Sequence, residues 1–227
     1  MISYSELFNL NLSWRELAAR DARLFKKGHR LVQTRDLFFI LKGRISLQAN
    51  TSCGKERIIW FLRDNSIFNE VPIVSRLNDF CLGTWTCSII EPAFSHVCMR
   101  DTLVGRLPFD LVLEEGKRRP ELLLNLCSSL ALKVALLAQK NIIDNLACPR
   151  ERVFYYVDQL RRLHKTDERI CFEATFQDVA NLLGIHRISL YKILDQARRE
   201  GIMDYSRKQK FVTILDRAAF DREARGQ

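Results

Sequence analysis

The residues best suited to bind a charged ligand lie between positions 176 and 194. Two apolar sets repeat there at helical spacing: Val179, Ala180 and Leu183, then Leu190, Ile193 and Leu194. Between them stands Gly184, and glycine accommodates the positive φ of a turn between two helices. Ile185 is then the predicted buried residue of the turn. The spacing predicts a helix-turn-helix.

The start of the second predicted helix carries side chains that can contact a nucleic acid: His186, Arg187, Ile188, Ser189 and Lys192. Arg187 can donate two hydrogen bonds to a guanine edge, and Lys192 can reach a phosphate or a base. Ile188 can pack on a thymine methyl group, while Ser189 suits a phosphate contact. An ordinary pair of surface helices is the alternative interpretation.

A β-hairpin with a basic turn is predicted next, with strands at Gly201–Tyr205 and Phe211–Leu215. Arg207 and Lys208 lie in its turn, and a cationic hairpin beside such a helix is typical of a wing that contacts the phosphate backbone. From position 186 to 210 there are seven Lys and Arg against three Asp and Glu. Asp216 is predicted to cap a short terminal helix. These features favour double-stranded DNA as a partner.

The whole chain, 227 residues with a net charge of +9, is compatible with a polyanionic partner. Its seven cysteines form no Cys-x-x-Cys pair, which disfavours a disulfide framework and a zinc knuckle.

The apolar stretch from 122 to 146 is interrupted by polar residues and does not suit a membrane span. No signal peptide is visible either, so we expect a cytoplasmic protein that does not bind a membrane.

Enzymatic activity is disfavoured by the distribution of the four histidines. His29, His96, His164 and His186 are scattered without the spacing of a metal site. A phosphate-binding loop, a Ser-His-Asp motif and a paired-acid signature are also missing from the sequence. We therefore expect a protein that is not an enzyme and holds no metal or cofactor.

The first half of the chain is predicted to be a helix followed by short strands. Ser13 is placed to cap a helix over Trp14–Arg20, with Glu16 completing a capping box. Runs rich in β-branched and aromatic residues then follow at 37–41, 44–47, 57–61 and 85–90. Such short strands at regular spacing predict an antiparallel barrel or jelly roll.

After Pro120 the apolar residues change to a 3-4 spacing, which predicts a long helix. Since this helix is apolar on more than one side, one face can pack on the barrel and another on a second copy, as in a coiled-coil dimer. A helix buried within a monomer is the alternative. Pro149 should end the helix. The predicted class is α+β, with an effector domain (1–118), a dimerisation helix (119–148) and a winged helix-turn-helix domain (149–227).

The sequence resembles the CRP/FNR superfamily of bacterial regulators over nearly its full length. The segments that carry the resemblance are Phe25–Gly28, Phe39–Gly43, Gly54–Arg57, Ile67–Glu70, Val179–Ile202 and Thr213–Asp216. The resemblance implies an effector-controlled dimer that binds a palindromic operator, with RNA polymerase as a further candidate partner.

Cyclic-nucleotide-binding members of the family carry an Arg before an Ala-Ser/Thr pair. The segment Cys81–Thr86 lacks this Arg, so cyclic AMP is not the expected effector. The first cysteine, Cys53, lies too far from the N-terminus for an iron–sulfur cluster of the family's type.

A closer resemblance is to the halorespiration subgroup that senses chlorinated phenols, through Leu132–Ala135 and Gly184–Ser189. It implies that Lys133 meets an anionic or phenolic effector, since a cation on an apolar face favours an anion. Snorkelling to the surface, or an ion pair with Glu70 or Asp144, is the alternative for Lys133. The candidate effector site comprises Trp60, Glu70, Trp85, Thr86 and Lys133. An effector-independent regulator, whose barrel serves dimerisation or protein contacts, remains the alternative function.

Overall fold

A computed structural model describes residues 12–31, 36–50, 56–77, 94–146, 148–172 and 174–225. The chain divides into two compact units, residues 2–135 and 136–227. The division lies within a single long helix, which contributes its first part to one unit and its last part to the other.

The N-terminal unit contains two antiparallel sheets, framed by helices. Its helices are α1 (Arg15–Ala19), α2 (Glu70–Leu77), α3 (Phe109–Arg118) and the start of α4 (Pro120–Leu146), and its strands are β1 (Ala22–Phe25), β2 (Arg30–Leu31), β3 (Leu37–Lys42), β4 (Arg44–Asn50), β5 (Glu56–Arg63), β6 (Ile67–Phe68), β7 (Phe94–Cys98) and β8 (Thr102–Leu107). In the described part of the chain, the strand orders are β1-β8-β3-β6 and β2-β7-β4-β5. The predicted antiparallel architecture is confirmed.

The side chains of β3 point alternately to the two faces of its sheet, and both faces are packed. Phe38 and Ile40 pack between the two sheets, in a cluster with Ile45 and Phe68. Leu37 and Phe39 point to the other side, where Trp14 and the first turns of α4 cover them. Because successive side chains of a strand point to opposite faces, β3 is buried on both sides.

The predicted helix cap at Ser13 is wrong. Residues Leu12–Trp14 form a 3-10 turn that runs directly into α1, so no extended residue precedes the helix to act as a cap. Trp14 is fully buried, and its indole Nε1 donates to Asn125 Oδ1 at 3.1 Å. The start of the helix thus coincides with a residue that is fixed by tertiary packing, and the cap preference of Ser13 is not realised. The strand predicted at 85–90 lies outside the described residues.

The C-terminal unit holds the end of α4, a set of shorter helices and a small antiparallel sheet. Its helices are α5 (Pro149–His164), α6 (Phe176–Leu183), α7 (Arg187–Arg199) and α8 (Arg217–Arg225), and its strands are β9 (Ile170–Cys171), β10 (Met203–Ser206) and β11 (Phe211–Ile214). As predicted, α4 ends before Pro149, which is the first residue of α5. Asp216 caps α8 through Oδ1, which accepts from Ala219 N at 3.0 Å.

Candidate functional site

The two helices α6 and α7 form the predicted helix-turn-helix. Thr175 caps α6: its Oγ1 accepts from Asp178 N, and its own N donates to Asp178 Oδ2, both at 3.1 Å. Gly184 ends the helix with a φ of 64°, in the left-handed region that glycine adopts at low cost. Val179, Ala180 and Leu183 are buried as predicted, whereas Ile185 in the turn is half-buried.

Helix α7 presents one face to the core and leaves the other exposed. The predicted inward residues Leu190 and Leu194 are buried, but Ile193 is half-buried. Ala197, which was not predicted, completes the inner face because it continues the 3-4 spacing one turn further. The sequence signal for Ala197 was therefore present, although alanine contributes little to an apolar pattern.

Most of the residues that the sequence selects for DNA contact are exposed at the start of α7. His186, Arg187, Ile188 and Lys192 are exposed, and Ser189 is half-buried. Ile188 leaves 68% of its surface in solvent, although it is a large apolar residue. His186 precedes the helix in extended conformation without a side-chain cap on the first turn. The first N–H groups of α7 and the positive end of its dipole therefore suit a phosphate.

The predicted wing is the antiparallel pair of β10 and β11, whose register runs from Met203 opposite Ile214 to Ser206 opposite Phe211. A third strand, β9, pairs with β11 and was missed by sequence reasoning, because two residues are too few to show an alternating pattern. Residues 207–210 form the exposed turn between the strands. Lys208 lies at this turn with its side chain in solvent.

Arg207 in the same turn folds back onto α7. Its guanidinium carbon lies 4.1 Å from the ring centre of Tyr191, and its Nε and Nη2 donate to Tyr205 Oη at 3.2 and 3.0 Å. Tyr205 Oη in turn donates to Asp195 Oδ1 at 2.6 Å. We call these four residues the Arg207 cluster. The cluster joins the predicted wing to α7.

Lys133 and Glu70 form a buried ion pair in the N-terminal unit. Their side chains are only 9% and 5% exposed, and the Lys133 ammonium donates to Glu70 Oε1 as well as to the Ile67 carbonyl oxygen at 2.6 Å. Ser129 Oγ donates to the same Glu70 oxygen at 3.1 Å. Of the alternatives that the sequence leaves open for Lys133, this structure contains the ion pair with Glu70. Asp144 instead pairs with Lys140 at 3.1 Å.

His96 on β7 lies in the same buried region. Its ring centre is 4.8 Å from that of Phe68. Its pKa is lowered from 6.5 to about 4, mainly by burial and to a smaller extent by the positive charge of Lys133. His96 is therefore neutral at physiological pH. Sequence reasoning treated His96 only as one of the scattered histidines, because its proximity to Lys133 arises from tertiary packing between segments far apart in the chain.

Of the other candidate effector residues, the structure describes only Trp60. Trp60 is half-buried and packs against the cluster between the sheets. Trp85 and Thr86 lie outside the described residues. Within the ranges that the structure describes, no group of three or more His, Cys, Asp or Glu side chains is arranged to hold a metal ion.

Comparison with known protein families also identifies a helix-turn-helix in the C-terminal region. Residues 151–223 match the model of the Crp-like helix-turn-helix domain. No curated protein matches the sequence.

Three solved structures share the fold at low sequence identity. A mutant of CooA from Carboxydothermus hydrogenoformans has a TM-score of 0.70 at 16% identity, covering 89% of this chain and 87% of its own. A single-residue variant of CprK complexed with OCPA has a TM-score of 0.67 at 15% identity, covering 92% of both chains. A transcriptional regulator of the Crp/Fnr family from Eubacterium rectale has a TM-score of 0.63 at 18% identity, covering 96% of both.

Proposed function

Because residues 151–223 form a Crp-like helix-turn-helix domain on a chain with the fold of CRP/FNR regulators, we propose that this protein is a dimeric transcription regulator that binds a palindromic site in double-stranded DNA. The observation that carries the proposal is the exposed N-terminal face of α7, which holds Arg187, Ile188 and Lys192 next to a cationic wing. A recognition helix enters the major groove with this end.

Each residue that the sequence selects at the start of α7 has a proposed role. Arg187 donates two hydrogen bonds to guanine, and Ile188 packs on a thymine methyl group, which explains an apolar side chain left 68% in solvent. His186 and Lys192 flank this pair within reach of bases or phosphates. Ser189 and, in the wing turn, Lys208 contact phosphates and add affinity without sequence preference.

Dimerisation through α4 is supported by the pattern of its exposed residues. A face with alternating spacings of three and four is exposed along the whole helix: Leu124, Cys127, Ala131, Val134, Ala138 and Asn141. This is the heptad pattern of a coiled coil, and the face holds no charged side chain. Val134→Glu should convert the dimer to monomers in sedimentation experiments, because it places two like charges at the seam. An unchanged dimer would contradict the role of α4.

By length and composition alone, α4 is also apolar enough to cross a membrane. The buried Lys133–Glu70 pair argues for the dimer instead, because it ties the other face of the helix to the sheets of its own unit. One helix face is then covered by the protein and the other by a second copy. Partition of the purified protein with lipid vesicles in a flotation assay would contradict this interpretation.

We further propose that the N-terminal unit senses a small anionic or aromatic ligand other than cyclic AMP, at Lys133. Since Glu70 already neutralises Lys133, an anionic ligand must displace the Glu70 carboxylate. Glu70 is the first residue of α2, so the displacement would act on the start of that helix. The closed ion pair equally supports the effector-independent alternative. A melting-temperature screen with small aromatic acids and phenols separates the two, because a ligand that binds the native state raises the melting temperature.

Two variants connect a ligand found in this screen to the ion pair. Lys133→Leu should abolish the ligand's stimulation of DNA binding, because the cation is removed. The protein should remain dimeric, although the unpaired Glu70 carboxylate lowers its stability. Glu70→Gln should strengthen binding of an anionic ligand, because the competing carboxylate is gone. If Lys133→Leu responds to the ligand with unchanged affinity, the ligand site lies elsewhere.

Selection of binding sites from random double-stranded DNA tests the proposed function as a whole. We expect an inverted repeat whose half-sites are about one helical turn apart, since two recognition helices related by a two-fold axis meet successive major grooves. With Ile188 where related regulators carry an acid that accepts from cytosine, the half-sites should be richer in A·T pairs. Recovery of sequences without a palindrome would contradict the proposal.

A further inference from the structure

Arg207 occupies a position in the wing turn where a phosphate contact is the simplest expectation. Its side chain is 57% exposed, yet its guanidinium also contacts residues of the protein. It stacks on Tyr191 of α7 at 4.1 Å, donates twice to the Tyr205 hydroxyl and lies 3.6 Å from Asp195 Oδ2. A planar guanidinium suits this combination, because it can stack on one ring while its edge donates to a second.

The partners of Arg207 are themselves held firmly. Tyr205 is only 5% exposed, and its hydroxyl donates to Asp195 at 2.6 Å. Both tyrosine rings pack against Phe176, the first residue of α6, with ring centres 5.5 and 6.1 Å away. The pKa of Tyr205 is raised, mainly by burial and to a smaller extent by the hydrogen bond to Asp195. The hydroxyl therefore stays protonated and able to donate.

A second arginine, Arg198, also connects the first strand of the wing to α7. The Arg198 guanidinium lies 4.4 Å from the Tyr205 ring centre, pairs with Asp204 and donates to the Tyr205 carbonyl oxygen. An exposed ion pair alone contributes little to stability. Here, however, the first strand of the wing is connected to α7 by stacking and directional hydrogen bonds, which define an orientation.

We infer that Arg207 is a positioning residue that orients the wing against the recognition helix, so that Lys208 and the base-contacting residues of α7 meet the same duplex. The inference rests on the proposed DNA-binding function and deepens it. In this role Arg207 acts through Tyr191 and Tyr205, and its charge alone is insufficient. Lysine keeps the charge but cannot reproduce the stacked, doubly donating guanidinium.

The variants Arg207→Lys and Arg207→Ala separate positioning from phosphate contact. Affinity for the selected operator is measured for both at several salt concentrations, with Lys208→Ala as the matched control from the same turn. We expect both Arg207 variants to weaken binding by about three- to tenfold, the scale of a stacked cation. Arg207→Lys should leave the salt slope unchanged, whereas Lys208→Ala should lower it by about one unit. Wild-type affinity in Arg207→Lys would overturn the inference.

A double-mutant cycle tests whether Arg207 acts through Tyr205. Tyr205→Phe removes the hydroxyl of a buried side chain while keeping its ring, so it alters the Arg207 cluster without removing a DNA contact. The effects of Arg207→Ala and Tyr205→Phe on operator affinity should overlap, whereas those of Lys208→Ala and Tyr205→Phe should multiply. Independent effects of Arg207 and Tyr205 would overturn the inference.

Hydrogen exchange of the free protein gives a measurement without DNA. Amides of β10 and β11 should exchange faster in Arg207→Ala and Tyr205→Phe, and at the wild-type rate in Lys208→Ala. Because no operator is needed, this result stands even if selection returns no palindrome, and the two proposals fail separately. Unchanged exchange in both cluster variants would overturn the positioning role.

Discussion

Removing one member of the buried Lys133–Glu70 pair should destabilise the N-terminal unit far more than removing both. With side chains 9% and 5% exposed, neither charge can regain water when its partner is lost. Lys133→Leu leaves the Glu70 carboxylate with the Ser129 hydroxyl as a donor, and Glu70→Leu leaves the ammonium on the Ile67 carbonyl oxygen. One neutral partner does not compensate a full charge. We therefore expect each single variant to lose about 3–5 kcal/mol of unfolding free energy.

The double variant should behave differently. Replacing both charges by leucine removes the ion pair together with its desolvation cost, so the unfolding free energy should lie within about 1–2 kcal/mol of wild type, on either side. The coupling between the two positions is then several kcal/mol, which is far larger than that of an exposed pair.

Urea unfolding followed by tryptophan fluorescence measures this cycle in the intact chain. All three tryptophans, Trp14, Trp60 and Trp85, belong to residues 2–135, so the signal reports on the unit that contains the pair. Operator binding by the C-terminal unit serves as a control for overall integrity. If each single variant costs less than about 1 kcal/mol, or if the double variant costs the sum of the two, the pair is not a desolvated, coupled unit and the reasoning fails.

Other predictions concern base contacts, pH and packing. Arg187→Ala should cost about 1–3 kcal/mol on the best operator and relax specificity there, whereas Lys208→Ala should weaken all sequences alike; similar behaviour of the two would contradict their assigned roles. Because the His96 pKa is lowered from 6.5 to about 4, the native state binds fewer protons than the unfolded state between these values, and stability should fall by about 2 kcal/mol from pH 7 to pH 5. His96→Phe should remove this part of the pH dependence in urea titrations, and an unchanged slope would refute the assignment. Gly105→Ala should cost about 3 kcal/mol or more in the same assay, because its Cβ would lie 2.2 Å from the Ala18 carbonyl oxygen; a wild-type midpoint would contradict the close approach of α1 to β8.

The helix-turn-helix was predictable from the sequence because its determinants are local. The spacing of Val179, Ala180 and Leu183, a glycine that allows positive φ, and the basic turn between two strands lie within a stretch of about 40 residues. The end of α4 before Pro149 was equally predictable, since proline restricts its own backbone and that of the residue before it. A local preference is not always realised in the folded chain. Ser13 is a residue type that favours the N-cap position, but the helix begins after the buried Trp14 instead.

The sequence by itself therefore determined the antiparallel sheets, the long helix, the helix-turn-helix with its wing, and the exposure of Arg187, Ile188 and Lys192 on α7. Only the tertiary structure decided which charges meet. Lys133 has Glu70 and Asp144 as candidate partners by sequence, and the packing of α4 on the sheets selects Glu70, 63 residues away. Arg207 carries the same sequence signal as Lys208 and both are exposed, yet of the two only the Arg207 guanidinium contacts Tyr191 in the described part of the chain. A charge–charge contact depends on distance in space, which pattern and propensity along the chain do not encode when the partners are brought together by packing.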